Sequence, residues 1–194
     1  AVRSQITLIN EAQISARVLA AVLGQSLNGD TACVDRVKAV AEDIPQSTMV
    51  SYIPLGGLMT CSSNGRVYDF SAEPIFQGLI QQPLPKVVYN PHGPVSGTAV
   101  IGVSHPVFDR SGAQVGIVAI SLSYTSVAPR DYVDPLGLWR PSYLATFQSD
   151  GTLLLSSDPD TPAASAIPDT VDPTRIADLT ARPSYFHDAG GRQI

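Results

Sequence analysis

The chain has 194 residues, 44% of them hydrophobic and 15% charged, with a formal net charge of −5. That length and apolar content allow a well-filled core in one or two small domains. The acidic balance excludes the basic footprint that nucleic acid or an anionic membrane surface demands, so neither is expected as a partner.

From Val2 to Leu27, Val2, Ile6, Ile9, Val18, Leu19, Val22, Leu23 and Leu27 recur at three- and four-residue steps without proline, which predicts a long amphipathic helix. Asn28-Gly29 ends it in the left-handed C-cap that these residues favour, and Asp30 or Thr31 opens a shorter helix through Val34, Val37 and Val40. Ser47 to Ile53 is β-prone, Pro54 to Gly57 turns, and Leu58 to Ser62 forms a second strand. Ile75, Phe76, Leu79 and Ile80 place a short helix over Glu73 to Gln82, stopped by Pro83. Lys86 to Tyr89 is a third strand, and Asn90 to Pro94 turns the chain into a fourth from Thr98 to Val103.

The stretch Ser104 to Ser123 completes a hairpin. Pro106 has no N–H to give a ladder and belongs at an edge or strand end. Asp109-Arg110-Ser111-Gly112 is the turn, and Val115 to Leu122 returns with no charge on either face, as a central strand covered on both sides would. Five antiparallel strands with helices before and between them make an α+β domain over residues 1–128. The proline-rich segment 129–142, which contains Trp139, reads as a linker. Residues 143–194 begin a smaller module: a hairpin of Tyr143 to Gln148 and Leu153 to Ser157 about Ser149 to Thr152, a loop, a short helix at Pro173 to Leu179, then Ser184 to His187. It stops at Gly190 to Ile194 before any closing hairpin.

Chemistry is sparse. His92, His105 and His187 are scattered, and Cys33 and Cys61 form no metal-ligand cluster, so no metal or cofactor is expected. The cysteines are either a disulfide, in an oxidising compartment, or two buried thiols in a reducing one. Asp69 and Glu73 suggest an acid–base pair, but carboxylates at a helix start also favour the dipole, and that reading is the better one. Ser104 lies in Gly-Val-Ser-His-Pro, which lacks the second glycine of a nucleophile elbow, and no phosphate-cradling glycine loop occurs. No stretch approaches the eighteen or more apolar residues of a membrane span and no signal-peptide pattern opens the chain, which reads as part of a longer protein.

The segments Cys61-Ser62-Ser63-Asn64-Gly65, Ala72-Glu73-Pro74-Ile75-Phe76, and Ser104-His105-Pro106-Val107-Phe108-Asp109 with Gly112 and Gly116-Ile117-Val118-Ala119-Ile120 resemble the Cache family. These are PAS-like extracytoplasmic sensor domains of bacterial histidine kinases, diguanylate cyclases and chemoreceptors. The resemblance covers residues 1–125 and, more weakly, 143–194 as a truncated second module of a double-Cache receptor. It implies a long helix rising from the membrane, a five-stranded PAS-like sheet, and a small molecule bound between sheet and overlying loops. It further implies a non-enzymatic periplasmic sensor anchored by transmembrane helices outside this chain, most plausibly in a histidine kinase, and paired with a second copy through the N-terminal helix or packed on its own sheet. Candidate ligand contacts are Tyr68, Asp69, Phe76, Tyr89, Ser104, His105 and Ser121, each also explicable as packing or local hydrogen bonding. In the amino-acid-binding branch an Arg opens the mid-domain helix and an Asp lies on the last strand. Here Glu73 and Ser121 hold those places, so an α-amino acid is not the expected ligand. A PAS-like partner-binding domain without a ligand and a secreted enzyme are the rival readings.

Overall fold

Strand pairing puts the uncharged return strand in the middle of the main sheet. The computed structural model describes residues 2–25, 30–127, 145–147, 150–156, 170 and 172. Its main sheet is antiparallel and runs in the order β3-β1-β7-β6-β5, where β1 is Ser47–Pro54, β3 Cys61–Ser62, β5 Lys86–Asn90, β6 Val100–Phe108 and β7 Gln114–Ser123. β7 is therefore central, hydrogen-bonded to β1 on one side and β6 on the other. Val118, Ile120 and Leu122 are fully buried on one face and Ile117 on the other. Such side chains contribute about 1.5–3 kcal/mol each when removed from water.

Two helices precede the sheet, α1 (Val2–Gln25) and α2 (Asp30–Asp43), matching the expected pair. α2 packs along β1 and β3. The disulfide Cys33–Cys61 ties it there, with a Cα–Cα distance of 6.0 Å. At Gly24, α1 comes so close to the Phe108 carbonyl and the Val107 side chain that a Cβ would collide with backbone. Arg110 donates to the carbonyl of Gln25 at the last residue of α1. By length and composition the Ile6–Gln25 segment is apolar enough to cross a membrane, a property its interrupted apolar run did not suggest. Ala12, Ala16, Leu19, Ala20 and Leu23, at three- and four-residue steps, are nevertheless buried within the protein.

The structure redraws three boundaries. The predicted strand Leu58 to Ser62 is broken: β2 (Leu58–Met59) pairs with β4 (Tyr68–Asp69) in a separate ribbon, and only Cys61–Ser62 joins the main sheet opposite Ser51 and Tyr52. The break at Thr60 lets Met59 enter a core with Met49, Ile53, Phe70, Phe76, Leu79 and Ile117. The approach strand does not stop before Pro106 but continues to Phe108. β5 pairs with β6 only as far as Ser104, so Pro106 lies where β6 has β7 on one flank and no strand on the other. A missing N–H is tolerated at such an edge. Third, the mid-domain helix α3 spans Pro74–Gln81, with Glu73 as N-cap and Pro74 at its start.

The short helix α4 (Tyr124–Val127) closes the unit Ile6–Val127. A second unit comprises Ala1–Gln5 and Ala128–Ile194. In it, β8 (Ala145–Phe147) and β9 (Leu153–Ser156) form the expected hairpin. Gly151 takes a positive φ of 90°, and Asp150 accepts from the Thr152 amide at 2.9 Å. The linker with Trp139, the expected helix at 173–179, the strand at 184–187 and the turn at 190–191 lie outside the described residues.

Candidate functional site: a groove over the central strands

Side-chain alternation decides what can meet over the sheet. Residues paired across strands share a face, and the face flips at every step. Ile117, Ala119 and Ser121 of β7, Gly102 and Ser104 of β6, and Val88 and Asn90 of β5 all line one groove, whose lid is α3 with Phe70 and Pro94. In register, Ser121 is opposite Gly102, which is opposite Val88. The groove has two lobes that share Ile53, Phe70, Pro94, Val100, Ala119 and Ser121. The narrow lobe, beneath α3, has a volume of about 100 Å³ and mostly apolar walls. The wide lobe holds about 470 Å³ and adds Thr48, Asn64, Arg66, Gly93, Val95 and Ser96.

Of the seven candidates, Phe76, Ser104 and Ser121 come together here, and Ser121 borders both lobes. Phe76 is buried and packs its ring against Phe70 at a centroid distance of 6.3 Å. Ser104 is nearly buried and donates to the Lys86 carbonyl at 3.2 Å. The hydroxyl of Ser121 has no protein partner among the described residues; it is the Ser121 carbonyl that is used, accepting from Thr48 Oγ1 at 3.2 Å.

The other four candidates lie off the groove. His105 and Tyr89 belong to the opposite face by one-residue parity: His105 pairs with Val118, and Tyr89 with Ile101. The His105 ring contacts the neighbouring Pro106 carbonyl through Nδ1 at 2.9 Å. Tyr89 stacks on Tyr124 at 4.9 Å, and burial, reinforced by that second phenol, raises its pKa. Asp69 turns outward and accepts from the Ser71 amide at 2.8 Å, a bond that lowers its pKa. Tyr68 lies edge-on to Phe70 and donates to Glu73 Oε1 at 2.7 Å. That hydrogen bond is the main cause of its raised pKa. Asp69 and Glu73 thus have separate partners and form no acid–base pair.

Several groove residues were missed. Gly102 and Asn90 were read only as parts of a strand and a turn, although the strand alternation that selected Ser121 could have selected Gly102 through its register. Thr48, Asn64, Arg66 and Ser96 come from sequence-distant loops and strand ends. They are brought together by pairings such as Arg66 Nη1 to the Val95 carbonyl at 2.8 Å and Asn64 Nδ2 to the Thr48 carbonyl at 3.4 Å. No local pattern encodes those. Glu73 and Ser121, the two positions where the resemblance expects charged anchors, both border the narrow lobe. Among the described residues no three His, Cys, Asp or Glu side chains come together as a metal site.

A helix-backed antiparallel sheet with a groove under a short helix has close structural counterparts. The extracellular domain of the putative histidine kinase rpHK1S-Z16 superposes with a TM-score of 0.65 over 98% of this chain and 83% of that one, at 16% identity. The ligand-binding domain of the Pseudomonas aeruginosa PAO1 amino acid chemoreceptor PctB, solved with L-Gln, gives 0.61 at 15% identity, over 81% of this chain and 64% of that one. The E. coli DcuS sensor domain gives 0.51 at 22% identity, and 64% of this chain accounts for 95% of it. The chain has the Cache fold. No family model matches the sequence, and no curated protein matches it. The Cache likeness is thus carried by architecture: a long helix, a five-stranded sheet and a groove between that sheet and a short helix.

Proposed function

We propose that this region is the extracytoplasmic sensing part of a membrane-bound signalling protein, most simply a histidine kinase, that binds a small molecule in the groove over β7 and performs no chemistry itself. The observation that carries this reading is the groove itself. It is a concave, largely apolar site with a few convergent polar groups, over the most central strands of the sheet. The Cache fold supports it, since the matched structures are sensor or ligand-binding domains. The Cys33–Cys61 disulfide supports an oxidising, periplasmic location. In this reading residues 129–142 link the module of residues 1–128 to a second one that begins at residue 143. Binding shifts a two-state equilibrium of the N-terminal helix, which requires that the ligand prefer one state.

The α1 face bearing Ile14 and Val18, 55% and 54% exposed, supports pairing with a second copy along that helix. Ile14→Lys is expected to shift sedimentation equilibrium toward monomer.

A thermal-unfolding screen with carboxylates, amines, sugars and purines tests the sensor reading. A ligand at one hundred times its Kd should stabilise by about 2.7 kcal/mol. Ser121→Val, which puts two methyl groups in place of the hydroxyl at the junction of the lobes, should weaken that response. A complete absence of stabilising compounds, with a partner protein captured instead, would favour a ligand-free interaction domain.

A further inference from the structure

We infer that the ligand is a monoanion with an apolar tail, a small monocarboxylate whose head lies at Arg66 and whose tail runs over Gly102; this rests on the sensor reading above. Among the described residues Arg66 is the only charged side chain bordering the wide lobe. Its guanidinium donates to one backbone carbonyl, that of Val95, and no carboxylate pairs with it among the described residues. Donors remain for an anion, and a guanidinium suits carboxylate geometry. The hydroxyls of Thr48, Ser96 and Ser121 and the amide of Asn64 border the same lobe.

The narrow lobe has the opposite chemistry. Its floor is Gly102, held in a β-strand between Val88 and Ser121. Glycine inside a strand weakens it and marks a close approach. Here an added Cβ would meet only the Val88 carbonyl, at 3.7 Å, so the glycine is not required by backbone crowding. What the missing side chain supplies is depth under Phe76 and Leu79. The one charge at this end among the described residues, Glu73, has an oxygen occupied by the Tyr68 hydroxyl. A second ligand carboxylate there would meet like charge, which disfavours dicarboxylates. An α-ammonium beside the head would lie in a lobe with no carboxylate to receive it.

The test uses the purified chain, thermal unfolding and titration calorimetry, with straight-chain monocarboxylates from propionate to octanoate, their primary amides, the matching dicarboxylates and primary amines. Monocarboxylates should stabilise, with a length optimum, and their amides should bind about tenfold or more weakly. Arg66→Gln should remove the preference for acid over amide, and Arg66→Lys should restore part of it. Gly102→Val introduces a strand-favouring residue and fills the floor, so it should shift the optimum to shorter acids. Amides that bind as well as acids, an acid preference unaffected by Arg66→Gln, or an unchanged optimum in Gly102→Val would each overturn the assignment. Stabilisation by amines, sugars or purines alone, lost in Ser121→Val, would overturn the ligand class and leave the sensor reading standing. No stabilisation by any compound would count against both.

Discussion

Asp109 shows how one side chain can close the hairpin at the centre of the main sheet. Its Oδ1 accepts from the Ser111 amide at 2.8 Å, the Ser111 hydroxyl at 2.6 Å and the Ala113 amide at 3.0 Å, while Gly112 supplies a φ of 84°. Hydrogen bonds to the ionised form, that of the Ser111 hydroxyl foremost, hold its pKa below the ordinary carboxylate value. The depressed folded pKa fixes the sign of the linkage: the stabilisation is present above the unfolded pKa and lost as pH falls through the folded one. Asp109→Ala should lower Tm at neutral pH and flatten the acid limb of Tm against pH. Equal acid limbs in variant and parent would remove Asp109 from that role. Tyr68 has the opposite sign. Its pKa is raised, first by the bond to Glu73, so its neutral form is favoured in the fold and its contribution is lost as pH rises through the folded pKa. Glu73→Gln should bring the phenol's titration, followed by ultraviolet difference spectroscopy, back toward its usual range.

At the scale of elements, the disulfide fixes how α2 meets the sheet, and a glycine how neighbouring strands pack. Cys33 and Cys61 close a loop with a sequence separation of 28 between α2 and β3. On the chain-entropy account such a link stabilises by about 3–4 kcal/mol. The double variant Cys33→Ala/Cys61→Ala should lose about that much in urea unfolding, with the transition midpoint lowered. Gly116, opposite Val107 and Pro54, has no room for a side chain: a Cβ there would lie 2.5 Å from both the Ile53 carbonyl and the Tyr52 ring. The Tyr52 hydroxyl donates to the Val115 carbonyl at 2.8 Å, so the ring cannot move away without losing a bond. Gly116→Ala should therefore destabilise by about 1–3 kcal/mol, the usual cost of overpacking. Gly102→Ala, with open space above it, should not. Comparing the two by chemical denaturation separates a glycine required for packing from one that leaves a cavity.

For the whole molecule, the sequence by itself determined the kinds of elements and their order. Periodicity gave α1, α2 and α3; Asp-x-x-Gly with an uncharged β-branched run gave the hairpin and its central strand; and the motif around Pro106 gave the Cache resemblance. These are local signals, decided by backbone propensity and side-chain period, and they survive in any tertiary setting. The groove was only partly legible, for the same reason. Ser121, Ser104 and Phe76 were accessible because each sits on a regular element whose facing residues can be counted. Tyr89 and His105 were placed with them because a strand alone does not say which of its two faces borders the groove. The pairing of β5 and β6 with β7 puts both on the face opposite the groove. Tertiary structure also decided that Thr60 breaks a strand, that Pro106 meets an edge, and that Arg66 and Gly102 flank one cavity. Those depend on contacts between residues far apart in sequence, and no local preference encodes them.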